Sequence, residues 1–251
     1  MRCLSFLLLF LFWEGGAYAQ IEAPASLLET PATVLAEDGP ALFQYWEIGQ
    51  HPRLWSAELG DVPALRAYRD SLALVLGEGM LAQVLQFESS QGHPDPSQPD
   101  TMDNYALVHT GRLGRIRAIH WLEAEILNYQ LTRYPLLGHP TEFHGFIAVH
   151  NASSRVRIYF AASDQPWPPK PGPIIPHLEQ ALTEGWRLRY HLHNHYDPPN
   201  ENFVGAMAPS LADAQYFKAL RDRFALKDAL ITNGFTTVVL PAATFADFFS
   251  H

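Results

Sequence analysis

The single cysteine, Cys3, lies in a segment that we expect to be removed, and this restricts how the rest of the chain can be stabilised. Arg2 is followed by an apolar run over 4–13 and then by Ala17-Tyr18-Ala19. A short positive region, an apolar core and a small-residue cleavage site are typical of a secretory signal peptide. We therefore predict cleavage after Ala19 and a signal peptide over 1–19. The alternative is an uncleaved membrane anchor.

Without that cysteine the mature chain has no disulfide and no thiolate, so any metal ion must be held by His, Asp or Glu. About 232 of the 251 residues would remain. Hydrophobic residues make up 47% of the chain and charged residues 17%, which favours a folded protein over a disordered one. The net charge of −9 argues against a nucleic-acid partner. No second apolar stretch is long enough to span a bilayer, so we expect no membrane span after cleavage.

Hydrophobic periodicity predicts alternating helices and strands over most of the chain. We predict helices over 62–76, 121–134, 177–184 and 209–224, strands over 143–149, 156–161 and 186–195, and hairpins over 105–120 and 229–240. The second hairpin contains Asn233-Gly234, a strong two-residue turn signal.

The first third of the chain is harder to interpret. Residues 20–62 are interrupted by prolines and lack a clear period, and 80–87 fits either a strand or a helix. The stretch 89–103 is rich in Ser, Gly, Pro and Asp, which predicts a loop and a boundary. We therefore divide the mature chain into an N-terminal extension over 20–103, whose role stays open, and a domain over 104–251.

Three histidines alternate along the predicted strand that ends near residue 195. Because side chains two residues apart point to the same face of a strand, His191, His193 and His195 share one face. Two of their imidazoles can converge on one ion, with zinc–nitrogen bonds of about 2.0–2.1 Å. The spacing leaves a choice between the pairs His191/His193 and His193/His195.

A Ser-x-x-Asp sequence, Ser210 to Asp213, follows at the start of the next predicted helix. One interpretation is a capping box, in which Ser210 accepts a backbone N–H and Asp213 lies at the positive end of the helix. The other is that Asp213 is a third metal ligand, with the Ser210 hydroxyl turned toward the site. The two interpretations are compatible.

At these residues the chain resembles the JAMM (MPN+) zinc metalloproteases, as an exported, bacterial-type member. Their motif has an upstream Glu, then His-x-His, and then Ser-x-x-Asp, which match Glu142, His193-Asn194-His195 and Ser210 to Asp213. Glu142 also has Gly145 three residues later, as in the Glu-x-x-Gly context of the family. The resemblance covers residues 105–245 and leaves the extension unexplained.

The chain departs from the family pattern in three places. Tyr196 replaces the proline that often follows the second histidine, and Asn194 stands where the family usually has Ser or Thr. The loop over 196–209 is longer than the usual spacer. The longer loop is either part of a substrate cleft or a sign of a scaffold that has lost catalysis.

The resemblance implies a fold and a chemistry. It implies an α/β fold with a mixed β-sheet flanked by helices, and a Zn²⁺ ion held by His193, His195 and Asp213. It also implies that Glu142 is the general base and that Ser210 donates a hydrogen bond to the oxyanion, in hydrolysis of a peptide or isopeptide bond. The expected partner is a peptide or protein substrate, met in the periplasm or outside the cell.

Other interpretations of the same residues remain. Glu142 fits an ordinary solvated carboxylate, and Glu123 and Glu125 are weaker candidates for the base. We interpret His144 and His150 as surface or hydrogen-bonded histidines rather than as a second metal site.

Competing classes of protein are disfavoured to different degrees. Too little chain follows His193 to build an amidohydrolase barrel, and acidic charge disfavours a His-Asn-His nuclease. A catalytically silent MPN-like module that binds a metal or a partner is the main alternative to a hydrolase.

Overall fold

The computed structural model of the protein describes residues 25–90, 99–196, 205 and 207–249. The predicted signal peptide and most of the 196–209 loop lie outside these residues. Within the described part of the chain, no helix combines the length and the apolar character needed to cross a bilayer.

The described residues form one eight-stranded sheet with helices on both faces, in the order β1-β2-β5-β4-β6-β7-β8-β3. The strands are β1 Thr33–Asp38, β2 Ala41–Gly49, β3 Arg115–Ala118, β4 Phe143–His150, β5 Arg155–Ala162, β6 Arg187–Asn194, β7 Asp228–Thr232 and β8 Thr236–Pro241. The α-helices are α1 Pro63–Leu76, α2 Glu78–Ser90, α3 Pro99–His109, α4 Trp121–Arg133, α5 Ile175–Thr183 and α6 Leu211–Phe224. Of the strand pairs in these residues only β6–β7 is parallel, so the predicted mixed sheet flanked by helices is confirmed.

Two apolar cores cover the two faces of the sheet. Helices α1, α2 and α4 pack on one face, where Trp46, Trp121 and Phe160 are almost fully buried. Helices α3, α5 and α6 pack on the other face, around Phe146 and Phe217. Strands buried on both sides suit a three-layer architecture, and this arrangement leaves the strand ends as the places for polar groups.

The N-terminal extension contributes to the same sheet as the rest of the chain. Strands β1 and β2 form a hairpin across Gly39, whose φ of +57° is the left-handed conformation that glycine adopts readily. Strand β2 then pairs with β5 along its whole length. The extension therefore completes one side of the sheet, one of the roles that the sequence left open.

Several predicted elements agree with the structure, and two are wrong in part. Helices α1 and α4, strands β4 to β6 and the β7–β8 hairpin lie where periodicity predicted them. The predicted hairpin over 105–120 is wrong in its first arm, because Tyr105 and Val108 face the core from helix α3. Only its second arm is a strand, β3, and β3 pairs with β8. The predicted loop over 89–103 is helical at both described ends.

Glu123 connects the start of α4 to the edge of the sheet. Its carboxylate accepts hydrogen bonds from the His120 backbone N–H and the Thr237 hydroxyl, at 3.0 and 2.7 Å. It also forms an ion pair with Arg117, and the Glu123 side chain is only 3% exposed. Glu123, a weaker candidate for the general base, is thus occupied as a structural group.

We expect Glu123→Ala to lower the free energy of unfolding by about 3 kcal/mol, because Arg117 would keep a largely buried charge without its partner. Glu179→Ala is the matched control, since Glu179 pairs with Arg223 on the surface and both side chains are about half exposed. The control should change stability by less than about 0.5 kcal/mol. Urea unfolding at pH 7 measures both, and equal losses would contradict the structural role of Glu123.

Candidate metal centre

Three side chains converge at the end of β6. The imidazoles of His193 and His195 and the carboxylate of Asp213 each present one ligand atom, and these atoms lie within 4.8 Å of one another. The two Nε2 atoms are 2.9 Å apart. Asp213 Oδ1 lies 3.4 Å from His193 Nε2, and Asp213 Oδ2 lies 3.3 Å from His195 Nε2. The protein therefore has a His-His-Asp triad that can bind a metal ion.

The parallel pairing of β6 with β7 positions the two histidines. His193 is the second-last residue of β6 and lies in register with Ile231, buried against Phe217 of α6. His195 follows the strand, and its backbone N–H donates to the Thr232 carbonyl at 3.0 Å, which prolongs the ladder by one step. Both imidazoles consequently project toward the start of α6.

The capping box of α6 positions the carboxylate. Ser210 is the N-cap residue, and its Oγ accepts a hydrogen bond from the Asp213 backbone N–H at 3.2 Å. Asp213 Oδ2 in turn accepts from the Ser210 backbone N–H at 2.9 Å and from the Ser210 hydroxyl at 2.7 Å. The capping-box interpretation of Ser-x-x-Asp is therefore confirmed, and the same carboxylate lies beside both histidines, where a third metal ligand would have to be.

Electrostatics keep His193 and Asp213 in the protonation states that a metal ion requires. Burial lowers the pKa of His193, although Asp213 opposes this effect, so the imidazole is neutral near pH 7. Burial alone would raise the pKa of Asp213, but His193 and His195 outweigh it and hold that pKa well below its usual range. Two neutral imidazoles and an ionised carboxylate are the forms that ligate metal ions.

His191, the alternative ligand, is not part of the triad. Its Nε2 lies 3.0 Å from His144 Nδ1, and its ring packs beside Tyr216 and Phe217 of α6. Burial, together with the nearby His193, lowers the pKa of His144 to about 3. Burial and His144 likewise keep the pKa of His191 well below its usual value. The structure thus pairs His193 with His195, and gives His144 the hydrogen-bonded role that the sequence analysis expected.

Glu142, the predicted general base, is partly buried and immediately precedes β4. It is not one of the three clustered ligands. The pairing of β4 with β6 ends where Gly145 lies opposite Leu192, so Glu142 lies three residues before the first residue of β4 that pairs with β6. His144 and Phe146 contact His191 on the face that carries the triad, and the alternation of side chains along an extended chain assigns Glu142 to the same face.

Asn194, between the two histidines, holds the Glu142 segment in this position. Its side-chain Oδ1 accepts from the Phe143 backbone N–H at 3.0 Å, and its Nδ2 donates to the Thr141 carbonyl at 2.9 Å. Asn194 is 1% exposed, so these two bonds replace water for both of its polar groups. In the sequence, Asn194 stands out only as a departure from the family pattern. The feature that could have revealed its role is a side-chain amide on a buried face of a strand, where a polar group needs hydrogen-bond partners.

The donor set suits a small divalent cation. Tetrahedral ligands with bonds of about 2.0–2.1 Å are about 3.3–3.4 Å apart, which the two histidine–aspartate separations match. The two imidazole nitrogens would need to separate by about 0.5 Å. His193, His195 and Asp213 therefore have the donor types and the spacing to hold a small divalent cation.

Comparison of the chain with protein-family models, with curated proteins and with solved structures found no match. The resemblance to JAMM metalloproteases therefore stays a prediction that rests on the motif residues.

We expect the metal-free protein to lose stability as the pH falls below about 6.5. Between pH 6.5 and about 3, His144 is protonated in the unfolded chain but stays neutral in the folded protein. The folded-state pKa is lowered, so the unfolded chain binds the extra proton and is favoured by acid. His144→Asn should reduce the dependence of unfolding free energy on pH between 6.5 and 4 by up to about 1.4 kcal/mol per pH unit.

Urea unfolding in the presence of a chelator measures this dependence. The matched control is His177→Asn, because His177 is exposed at the start of α5. An unchanged slope in His144→Asn, or an equal change in the control, would contradict the assignment.

Proposed function

We propose that this protein is a zinc-dependent hydrolase that cleaves an amide bond, in a peptide or isopeptide linkage. The observation that carries the proposal is the convergence of His193, His195 and Asp213 at the end of β6, with Glu142 in the segment that leads into the neighbouring strand β4. Three protein ligands with an open position are the pattern of catalytic rather than structural zinc. A general base beside such a site suits hydrolysis.

His193, His195 and Asp213 would hold the ion, which supplies Lewis-acid chemistry and lowers the pKa of water toward neutrality. The Glu142 carboxylate takes the proton of the attacking water and passes it to the leaving amine. Ser210 donates its hydroxyl to Asp213 and so orients that carboxylate. Its predicted hydrogen bond to the oxyanion requires this hydroxyl to turn toward the substrate.

The proposal extends to location and partner. We infer that the chain is exported through the signal peptide over 1–19 and meets a peptide or protein substrate in the periplasm or outside the cell. A cell-wall cross-link and a protein tag joined by an isopeptide bond are both amide substrates of this kind. The alternative is a catalytically silent module of the same fold that retains the metal or binds a partner.

We expect purified wild type to contain one zinc ion per chain and Asp213→Asn to contain little, as measured by elemental analysis. A His-His-carboxylate set also suits Fe²⁺, so iron in place of zinc would contradict the proposal. Wild type without any metal would contradict it as well.

Glu142→Gln should keep the zinc and lower kcat on a library of peptides and isopeptides by about 10²–10⁴-fold, because the base is lost while the ligands remain. Glu179→Gln, on the surface of α5, is the control and should match wild type. A Glu142→Gln variant as active as wild type would refute the role of Glu142. A wild type with zinc but no hydrolysis would favour the silent module.

Asn194 should act as a positioning residue for Glu142. Asn194→Ala removes both bonds to the 141–143 segment, so we expect a lower kcat with little change in KM or zinc content. Asn128→Ala is the matched control, since Asn128 is also fully buried and accepts from the backbone N–H groups of Ala64 and Leu65. Both variants should lose about 1–3 kcal/mol of stability. Equal effects on kcat would assign Asn194 a purely structural role.

A further inference from the structure

A second polar site lies at the opposite end of β6 from the metal centre. A cavity of about 440 Å³ opens there, and a neighbouring cavity of about 290 Å³ shares Trp55, Arg189 and Tyr190 with it. We call the two together the cationic cleft. Arg189 is four residues from His193, so the cleft lies about 13 Å along the strand from the triad.

The cleft concentrates positive charge in an acidic protein. Five of the 17 Lys and Arg residues of the chain line it, against one lining carboxylate, Asp228. The five cations are Arg115, Arg117, Arg187, Arg189 and Lys227. In a chain with a net charge of −9, such a cluster is a local field that attracts anions.

Most of this charge is not neutralised by the protein itself. Arg117 forms an ion pair with Glu123. Arg189 Nη2 lies 3.4 Å from Asp228 Oδ2, which is also an ion pair. Within the described residues, Arg115, Arg187 and Lys227 form no ion pair. Burial raises the pKa of Asp228, while Arg189, Arg115 and Lys227 act to lower it, so all three cations are within electrostatic reach of one carboxylate.

The backbone of β6 is irregular at the point where it meets the cleft. The register between β4 and β6 shifts between Ile147 and Ala148, which leaves Arg189 without a partner on β4. Such bulges redirect side chains and are common beside functional sites. Here Arg189 and Tyr190 both line the cleft, although regular alternation would send neighbouring residues to opposite faces.

The remaining lining groups indicate what kind of anion would fit. The rings of Trp55 and Tyr190 lie 5.2 Å apart and belong to both cavities, so they stand between the two groups of cations. Aromatic faces pack against sugar rings or carbon chains, whereas arginine forks bind phosphate and carboxylate. The Asp228 carboxylate accepts hydrogen bonds only, so it favours a ligand that carries hydroxyl groups.

We propose that the cationic cleft binds a small organic anion in which two phosphate or carboxylate groups flank a hydroxyl-bearing ring or chain. One anionic group binds between Arg115 and Arg189, and the other binds near Arg187 and Lys227. The intervening carbon skeleton lies on Trp55 and Tyr190. This site is separate from the metal centre, and its occupancy does not depend on the proposed hydrolase activity.

Isothermal titration calorimetry of the full chain tests this site with four probes: fructose 1,6-bisphosphate, citrate, inorganic phosphate and glucose. We expect binding of the bisphosphate, of citrate, or of both, which distinguishes phosphate from carboxylate as the preferred group. Inorganic phosphate should bind at least about tenfold more weakly, because it engages one half of the cleft, and glucose should not bind. The titration is repeated after chelation, and the affinities should be unchanged.

Arg115→Gln and Lys227→Gln should each weaken binding of the preferred probe about tenfold, because each removes a charge-assisted contact in a different half. Both side chains are exposed and outside ion pairs among the described residues, so folding should be preserved, which circular dichroism checks. Arg66→Gln on α1 is the matched control and should leave the affinity unchanged. Equal weakening by the control, phosphate binding as tight as the preferred probe, or no binding of either organic anion at about 1 mM would overturn the proposal.

Discussion

The carboxylate of Asp213 joins the first turn of α6 to the end of β6, and the candidate metal centre depends on this link. One oxygen accepts from the backbone and the hydroxyl of Ser210, and both oxygens lie near the histidine Nε2 atoms. A carboxylate that accepts two hydrogen bonds in the first turn of a helix has little freedom to move. The geometry of the triad is therefore set by the secondary structure around it, before any ion is bound.

Helices and strands with a regular hydrophobic pattern could be predicted from sequence, because their buried side chains recur at the spacing of a helix or a strand. Helix α1 buries Leu65, Tyr68 and Leu72 on one face. The β7–β8 hairpin lies where Asn233-Gly234 predicts one, although its loop is longer than two residues, because Thr232 pairs with Thr237. The triad could also be proposed, since residues two apart on a strand share a face whichever fold contains it.

Other parts were not predictable from local pattern alone. Alternation over 105–110 was compatible with a strand, but Asn104 is buried in α3, where its side chain donates to the Pro209 carbonyl and accepts from the Phe249 backbone N–H. These contacts are distant in sequence, so the residues around Asn104 do not reveal them. The pairing of β2 with β5 and the field of the cationic cleft arise in the same way, from residues that only the fold brings together.

The parallel β6–β7 pair has a consequence for the order of assembly. Strand β6, helix α6 and strand β7 follow one another in the chain, so the triad needs only a local unit to form. The outer pairs β2–β5 and β3–β8 join residues that are far apart in sequence, and closing such long loops slows folding. In a chain that emerges from its N-terminus, β1 and β2 can pair with each other early, but β2 must wait for β5 and β3 must wait for β8. The metal ligands thus belong to the β6-α6-β7 segment, which appears late in the chain. Strand β8, the partner that β3 lacks until then, follows directly after this segment.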